Sequence, residues 1–140
     1  MNLISGVNIT SSALNAEQVR MDVIAQNIAN AHTTHGVDGK AYQRKVVTFE
    51  SLMAPDGASG GSAAQEGVRV SQITADNTPG EKIYNPTSPD ADKSGMVEMP
   101  NVNMETEMVD LMTSSRAYEA NLSVIRNAKQ MAMRALSIGH

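Results

Sequence analysis

An unusually long amphipathic run near the C-terminal end constrains the fold of this 140-residue chain more than any other feature. From Met104, steps of four and three alternate through Met108, Leu111, Ser115, Tyr118, Leu122, Ile125, Lys129, Ala132 and Leu136, and eight of these ten are apolar or aromatic. A repeat of that kind keeps one face toward a partner and predicts a helix that curls around another. Pro100 precedes the run, Asn101 or Asn103 can cap the first free amides, and Glu105, Glu107 and Asp110 sit near the positive end of the helix dipole. Lys129 and Arg134 fall in the closing turns, and Gly139 follows. A helix over roughly 103–136 is about 50 Å long, whereas a globule of this size is roughly 37 Å across. Such a helix sticks out of its own domain.

The opposite end offers a partner. Between about Ser5 and Thr33, Val7, Leu14, Met21 and Ile28 recur every seven residues, and Ile24, Ala25 and Ala31 widen the stripe. The stretch HTTHG at 32–36 supplies a stop, with Gly36 as the left-handed residue. Between the helices, YQRKVVTFE and EGVRVSQIT read as two strands of a hairpin joined by the loop APDGASGGSAA. Pro79, Pro86, Pro89 and Pro100 then allow only short edge strands. The expected fold is mainly α: long N- and C-terminal helices packed as a coiled-coil stalk, with a small β-hairpin-rich insertion at its far end. Residues 1–36 form the first helical region, 37–100 the β-rich and loop middle, and 101–140 the second helical region, the two helices making one domain. Val109, Met112, Ala117, Val124, Ala128, Met131 and Met133 lie off the seam, and without a third long helix several of them face water. Exposed apolar area of that extent marks an interaction surface.

Composition narrows the function. Phe49 is the only Phe, there is no Trp, and ten Met stand where bulky aromatic anchors usually do, a soft surface suited to packing on partners. A net charge of −4 provides no basic field for nucleic acid. The absence of Cys removes disulfides, thiolate chemistry and zinc–thiolate sites. Neither a cleavable leader nor a transmembrane span is expected, so the chain is not an integral membrane protein.

The chemical motifs are weak. His32 and His35 in HTTH lack the i, i+4 spacing and intervening carboxylate of a helical metal pair, and His140 is terminal. Within DADKSGMVEMPN, 90–101, Asp90, Asp92, Ser94 and Gly95 imitate a calcium loop, but Asn101 stands where the bidentate Glu belongs and Pro86 and Pro89 forbid the entering helix. The stretch reads as turn chemistry. GASGGS at 57–62 has no following Lys and is not a phosphate loop, and no Ser lies in a GxSxG setting. The expectation is no catalytic, cofactor-binding or metal-binding residue, and no enzyme.

Two stretches, SALNAEQVRMDVIAQNIANAHTT at 12–34 and PNVNMETEMVDLMTSSRAYEANLSVIRNAKQMAMRALSIG at 100–139, resemble the terminal signatures of the bacterial flagellar axial proteins, the rod and hook components. The short middle and YNPTSPDADKSGMVEMPNVN are similar to the proximal rod members, whereas HTTHGVDGKAYQR departs from the TxGY form of the longer ones. The resemblance implies a structural subunit of the basal-body rod, polymerising helically into the shaft that carries motor torque to hook and filament. It implies as partners copies of this chain, other rod proteins, a rod-to-membrane-ring adaptor and the flagellar type III export apparatus. It further implies a place in the rod across the periplasm, reached without a cleaved signal peptide. The packing residues expected are Val7, Leu14, Met21, Ile28, Met104, Met108, Leu111, Tyr118, Leu122, Ile125 and Leu136. The competing reading is a small coiled-coil adaptor or secretion chaperone.

Overall fold

The computed structural model describes residues 3–36, 38–52 and 67–138. Helix α1 spans Leu3–Ala29, strands β1 and β2 span Lys45–Leu52 and Gly67–Ala75, β3 and β4 span Lys82–Tyr84 and Met96–Glu98, and helix α2 spans Met104–Ile138. Two long terminal helices with a small strand-containing region between them match the mainly helical expectation. The loop GASGGS, Gly139 and His140 lie outside the described residues.

Helix α2 starts where the sequence places its cap: the Oδ1 of Asn103 accepts the Thr106 amide at 3.0 Å. Asn101 has a different task, described below. Helix α1 ends differently from expectation. Gly36 is not left-handed; the left-handed residue is Gly39, at φ 72°. The stop comes from a tightened last turn, in which Ala31 donates to the Ile28 carbonyl at 3.2 Å and Thr33 to the Asn30 carbonyl at 3.0 Å. The Gln26 carbonyl accepts both the Asn30 backbone amide at 3.1 Å and the Asn30 side-chain amide at 2.8 Å. The helix thus closes without a left-handed glycine.

Strands β1 and β2 pair antiparallel from Lys45 opposite Ala75 to Leu52 opposite Gly67, with a register shift after Thr48 that leaves Ser71 as the extra residue. The hairpin does not sit at the far end of a stalk; it folds back along α1. Lys45 at its base bonds to Asn27, and Val68 near its tip donates to Ser12 Oγ at 3.0 Å. The reason is coverage: Val46, Val47, Phe49, Val68 and Val70 are half-buried on a two-stranded sheet that has no other layer to lie on. Strands β3 and β4 pair from Lys82 opposite Glu98 to Tyr84 opposite Met96. Gly95, at φ 75°, turns the chain between them, with no room for a Cβ beside the Tyr84 ring.

Helix α1 therefore packs on α2 along one side and on the hairpin along another. Its buried residues are Ala16, Val23, Ile24 and Asn27. Its open side follows a three-and-four spacing through Asn8, Ser11, Asn15, Gln18, Asp22, Ala25 and Ala29, all polar or small. Ala25 faces out, not into the stripe assigned to it from spacing. Among the described residues no helix is long and apolar enough to cross a membrane.

Candidate assembly surface

The helices meet first around a polar knot. Asn27 is fully buried, and its Nδ2 donates to the Lys45 carbonyl at 2.9 Å and to Glu107 Oε2 at 3.0 Å. Its Oδ1 accepts the Lys45 amide at 2.9 Å and the Tyr42 hydroxyl at 3.0 Å. All four hydrogen-bonding positions of that amide are used. Glu107, also fully buried, takes the Arg44 Nε–H on its other oxygen, and Arg44 reaches Asp110 at 3.5 Å. Asn101 fastens the same strand from behind: its Oδ1 accepts the Arg44 amide at 2.7 Å, and its Nδ2 donates to the Asp76 and Thr78 carbonyls. Residues 80 positions apart are tied through one carboxylate. A buried ion pair adds little net stability when its partners are satisfied, but leaving one partner alone costs several kcal/mol, so the knot fixes register. Burial, then the negative charge of Glu107, pushes the Tyr42 hydroxyl above its ordinary 10.0.

Spacing alone did not reveal this knot, since Glu107 reads as a dipole partner. The available signal was Asn27 within an apolar stripe and Glu107 three residues beyond Met104, in step with Leu111, Ser114 and Tyr118.

Down the helix pair, the face of α2 turned to α1 includes Met104, Glu107, Leu111, Ser114, Tyr118, Asn121, Ile125, Ala128 and Ala132, with Glu107 and Ser114 fully buried. Half of the expected seam, Met104, Leu111, Tyr118, Ile125 and Ala132, lies on it. The alternate series is rotated: small and polar residues at 107, 114, 121 and 128 replace those at 108, 115, 122 and 129. Close approach is the physical reason, because short side chains let the helices come together around the knot. Met108 is left 47% exposed, Leu122 half-buried at the edge and Lys129 exposed. In α1, Val7, Leu14, Met21 and Ile28 are all half-buried, flanking the deeper Ala16 and Val23.

Leu136 needs a separate account. It follows Ile125 by 11 residues, about three helical turns, and so keeps the α1-facing direction, yet it is 73% exposed. Measured from the knot, α1 runs back about 36 Å to Leu3 while α2 runs about 46 Å to Ile138, so α2 overhangs its partner by about 10 Å. Elsewhere Val109, Met112, Val124, Met131 and Met133 are each more than half exposed. The helix covered on two sides has a polar open face; the helix covered on one side leaves large apolar side chains open among charged ones.

The chemical candidates fall apart in space. Asp92 Oδ1 accepts the amides of Ser94 and Met96 at 2.7 and 3.0 Å, which holds its carboxyl below the ordinary range, and Asp90 is engaged by Thr34 at 2.7 Å. The Asp92 bonds are turn contacts, and the Thr34 bond ties that turn to the chain following α1. His32 and His35 are both exposed, His35 lying 3.7 Å from Asp90. Among the described residues no cluster of three His, Asp or Glu is arranged to hold a metal.

Comparison with known proteins matches both ends of the chain. Residues 8–36 match the family described as "Flagella basal body rod protein", and 93–138 match "Flagellar basal body rod FlgEFG protein C-terminal". The flagellar basal-body rod protein FlgC of Bacillus subtilis (strain 168) is 42% identical over 149 residues, covering 99% of each chain. The chain belongs to the FlgC family. FlgC of Borreliella burgdorferi is 41% identical, covering 99% of this chain and 98% of that one, and FlgC of Escherichia coli O6:H1 is 39% identical, covering 99% of each. The two matched segments meet in the fold, since Asn27 lies in the first and Glu107 in the second. FlgC relatives are rod proteins by name, and nothing among them favours an adaptor or chaperone.

Proposed function

We propose that the chain is a structural subunit of the proximal rod of the bacterial flagellar basal body, polymerising helically into the shaft that transmits motor torque to hook and filament. Membership of the FlgC family supports the rod assignment. The observation that carries the assembly reading is the series of exposed large apolar side chains along α2, from Met108 to Leu136, beside an α1 whose open face is polar. Burying a leucine as exposed as Leu136 is worth about 1–2 kcal/mol, and that gain repeats in every copy of a polymer. The two terminal regions, 1–36 and 101–140, act as one axial unit, and 37–100 lies outside it.

Val7, Leu14, Met21, Ile28, Met104, Met108, Leu111, Tyr118, Leu122, Ile125 and Leu136 then divide by role. The half-buried ones join α1 to α2 and border their neighbours, while Met108 and Leu136 act wholly between subunits. The partners are copies of this chain, other rod proteins, the adaptor that joins rod to membrane ring, and the type III export apparatus that carries the chain to the periplasm. The role involves no catalysis.

Leu122→Asp tests the reading. At the edge of the helix contact, a carboxylate that must be buried on assembly costs several kcal/mol. Swimming should be lost and the chain should be missing from purified basal bodies; normal swimming with normal incorporation would overturn the proposal.

A further inference from the structure

Two stripes on the open surface of α2 complement each other. Near its start, Glu105, Met108, Met112, Ser115 and Glu119 follow a three, four, three, four spacing and share one side of the helix. All but Ser115 are exposed. Toward its end, Arg126, Lys129, Met133 and Leu136 follow the same three, four, three spacing and are all exposed. The first stripe is acidic and apolar, the second basic and apolar.

The acidic residues of the helix all lie in its first half, where Arg116 is the one cation. No Asp or Glu follows Glu119 in the sequence, while Arg126, Lys129 and Arg134 all do. Among the described residues none of these three cations has an ion-pair partner. The helix dipole accounts only for charges in the last turn, so it explains neither Arg126 nor Lys129.

The stripes are also in register. Adding 21 to 105, 108, 112 and 115 gives 126, 129, 133 and 136, a shift of three heptads or about 31 Å along the axis. Two parallel copies of α2 displaced by that amount set Glu105 beside Arg126 and Met112 beside Met133. Among the described residues no second long helix has these features, because the open face of α1 is polar.

We propose that a second copy of this chain docks its α2 alongside, parallel and displaced by three heptads, the acidic stripe of one copy against the basic stripe of the next. The contact is head-to-tail and leaves a free stripe at each end, so it propagates instead of closing into a dimer. It rests on the rod-subunit reading and specifies which surfaces meet.

The absence of native Cys gives a clean test. Full-length chain carrying both Met112→Cys and Met133→Cys should form a ladder of disulfide-linked copies in oxidised basal bodies, while each single variant should form none. Links within either single variant, or no 112-to-133 link in assembled rods, would overturn the pairing. A second arm uses Cys-free chain: Glu105→Lys should lose swimming, and adding Arg126→Glu should restore it. Failure of the double variant to swim would also overturn the proposal. If the unaltered chain is absent from basal bodies, the rod reading itself fails; if it is present and the doubly substituted chain assembles without these links, only the stripe pairing does.

Discussion

Glu107 of α2 accepts a hydrogen bond from Asn27 of α1 on one carboxylate oxygen and the Arg44 Nε–H on the other, wholly out of solvent. Helix, strand and helix are held in register by this single side chain. Glu107→Ala leaves the Arg44 guanidinium without its buried partner and should destabilise the chain by about 3 kcal/mol, seen as a lower urea midpoint. Replacing Arg44 as well, in Glu107→Leu with Arg44→Met, should recover most of that loss.

The same anchor implies uneven stability along the helix pair. Limited trypsin digestion should cut first after Arg134, where α2 has passed the end of α1. Arg20 and Arg44, half-buried near the knot, should be cut much later. Peptide mapping over time reads the order directly.

Alkaline pH should loosen the knot. The Tyr42 hydroxyl is raised above 10.0 in the folded chain, so folding favours its neutral form. That stability is complete below about 10 and is lost as pH rises through the higher folded value. Thermal denaturation scanned from pH 8 to 11 should show the loss. Tyr42→Phe should abolish this alkaline component while costing about 1 kcal/mol at neutral pH through the missing bond to Asn27.

Gly80 touches backbone. A Cβ there would lie 1.7 Å from the Met99 carbonyl oxygen, and the neighbouring Met99 amide donates to the Glu81 carbonyl at 2.8 Å. Gly80→Ala must part these strands, at about 1–3 kcal/mol. Hydrogen exchange at the Met99 amide should speed up sharply while exchange in the middle of α1 stays unchanged.

The terminal helices were legible because each carries a long heptad pattern, and the hairpin because β-branched runs flank a glycine-rich stretch. The rotation of α2 was not. Spacing rewards the most apolar series, through Met108 and Leu122, whereas the fold turns Glu107, Ser114 and Asn121 inward because their bonds or small size permit close approach. The hairpin's position along α1 was equally hidden, since it depends on Ser12 meeting Val68, a contact 56 residues long. Gly36 misled for a related reason: backbone bonds from Ala31 to Ile28 and from Thr33 to Asn30 tighten the last turn, so no left-handed residue was required there.

The overhang of α2 gives each molecule a gradient of compliance. One extremity is pinned by an ion pair, a capped helix start and a strand crossing behind it, while the other is a lone helix free to bend. A column of such elements would concentrate elastic give at the junction between successive members, where twisting strain could be absorbed without prising any individual member apart.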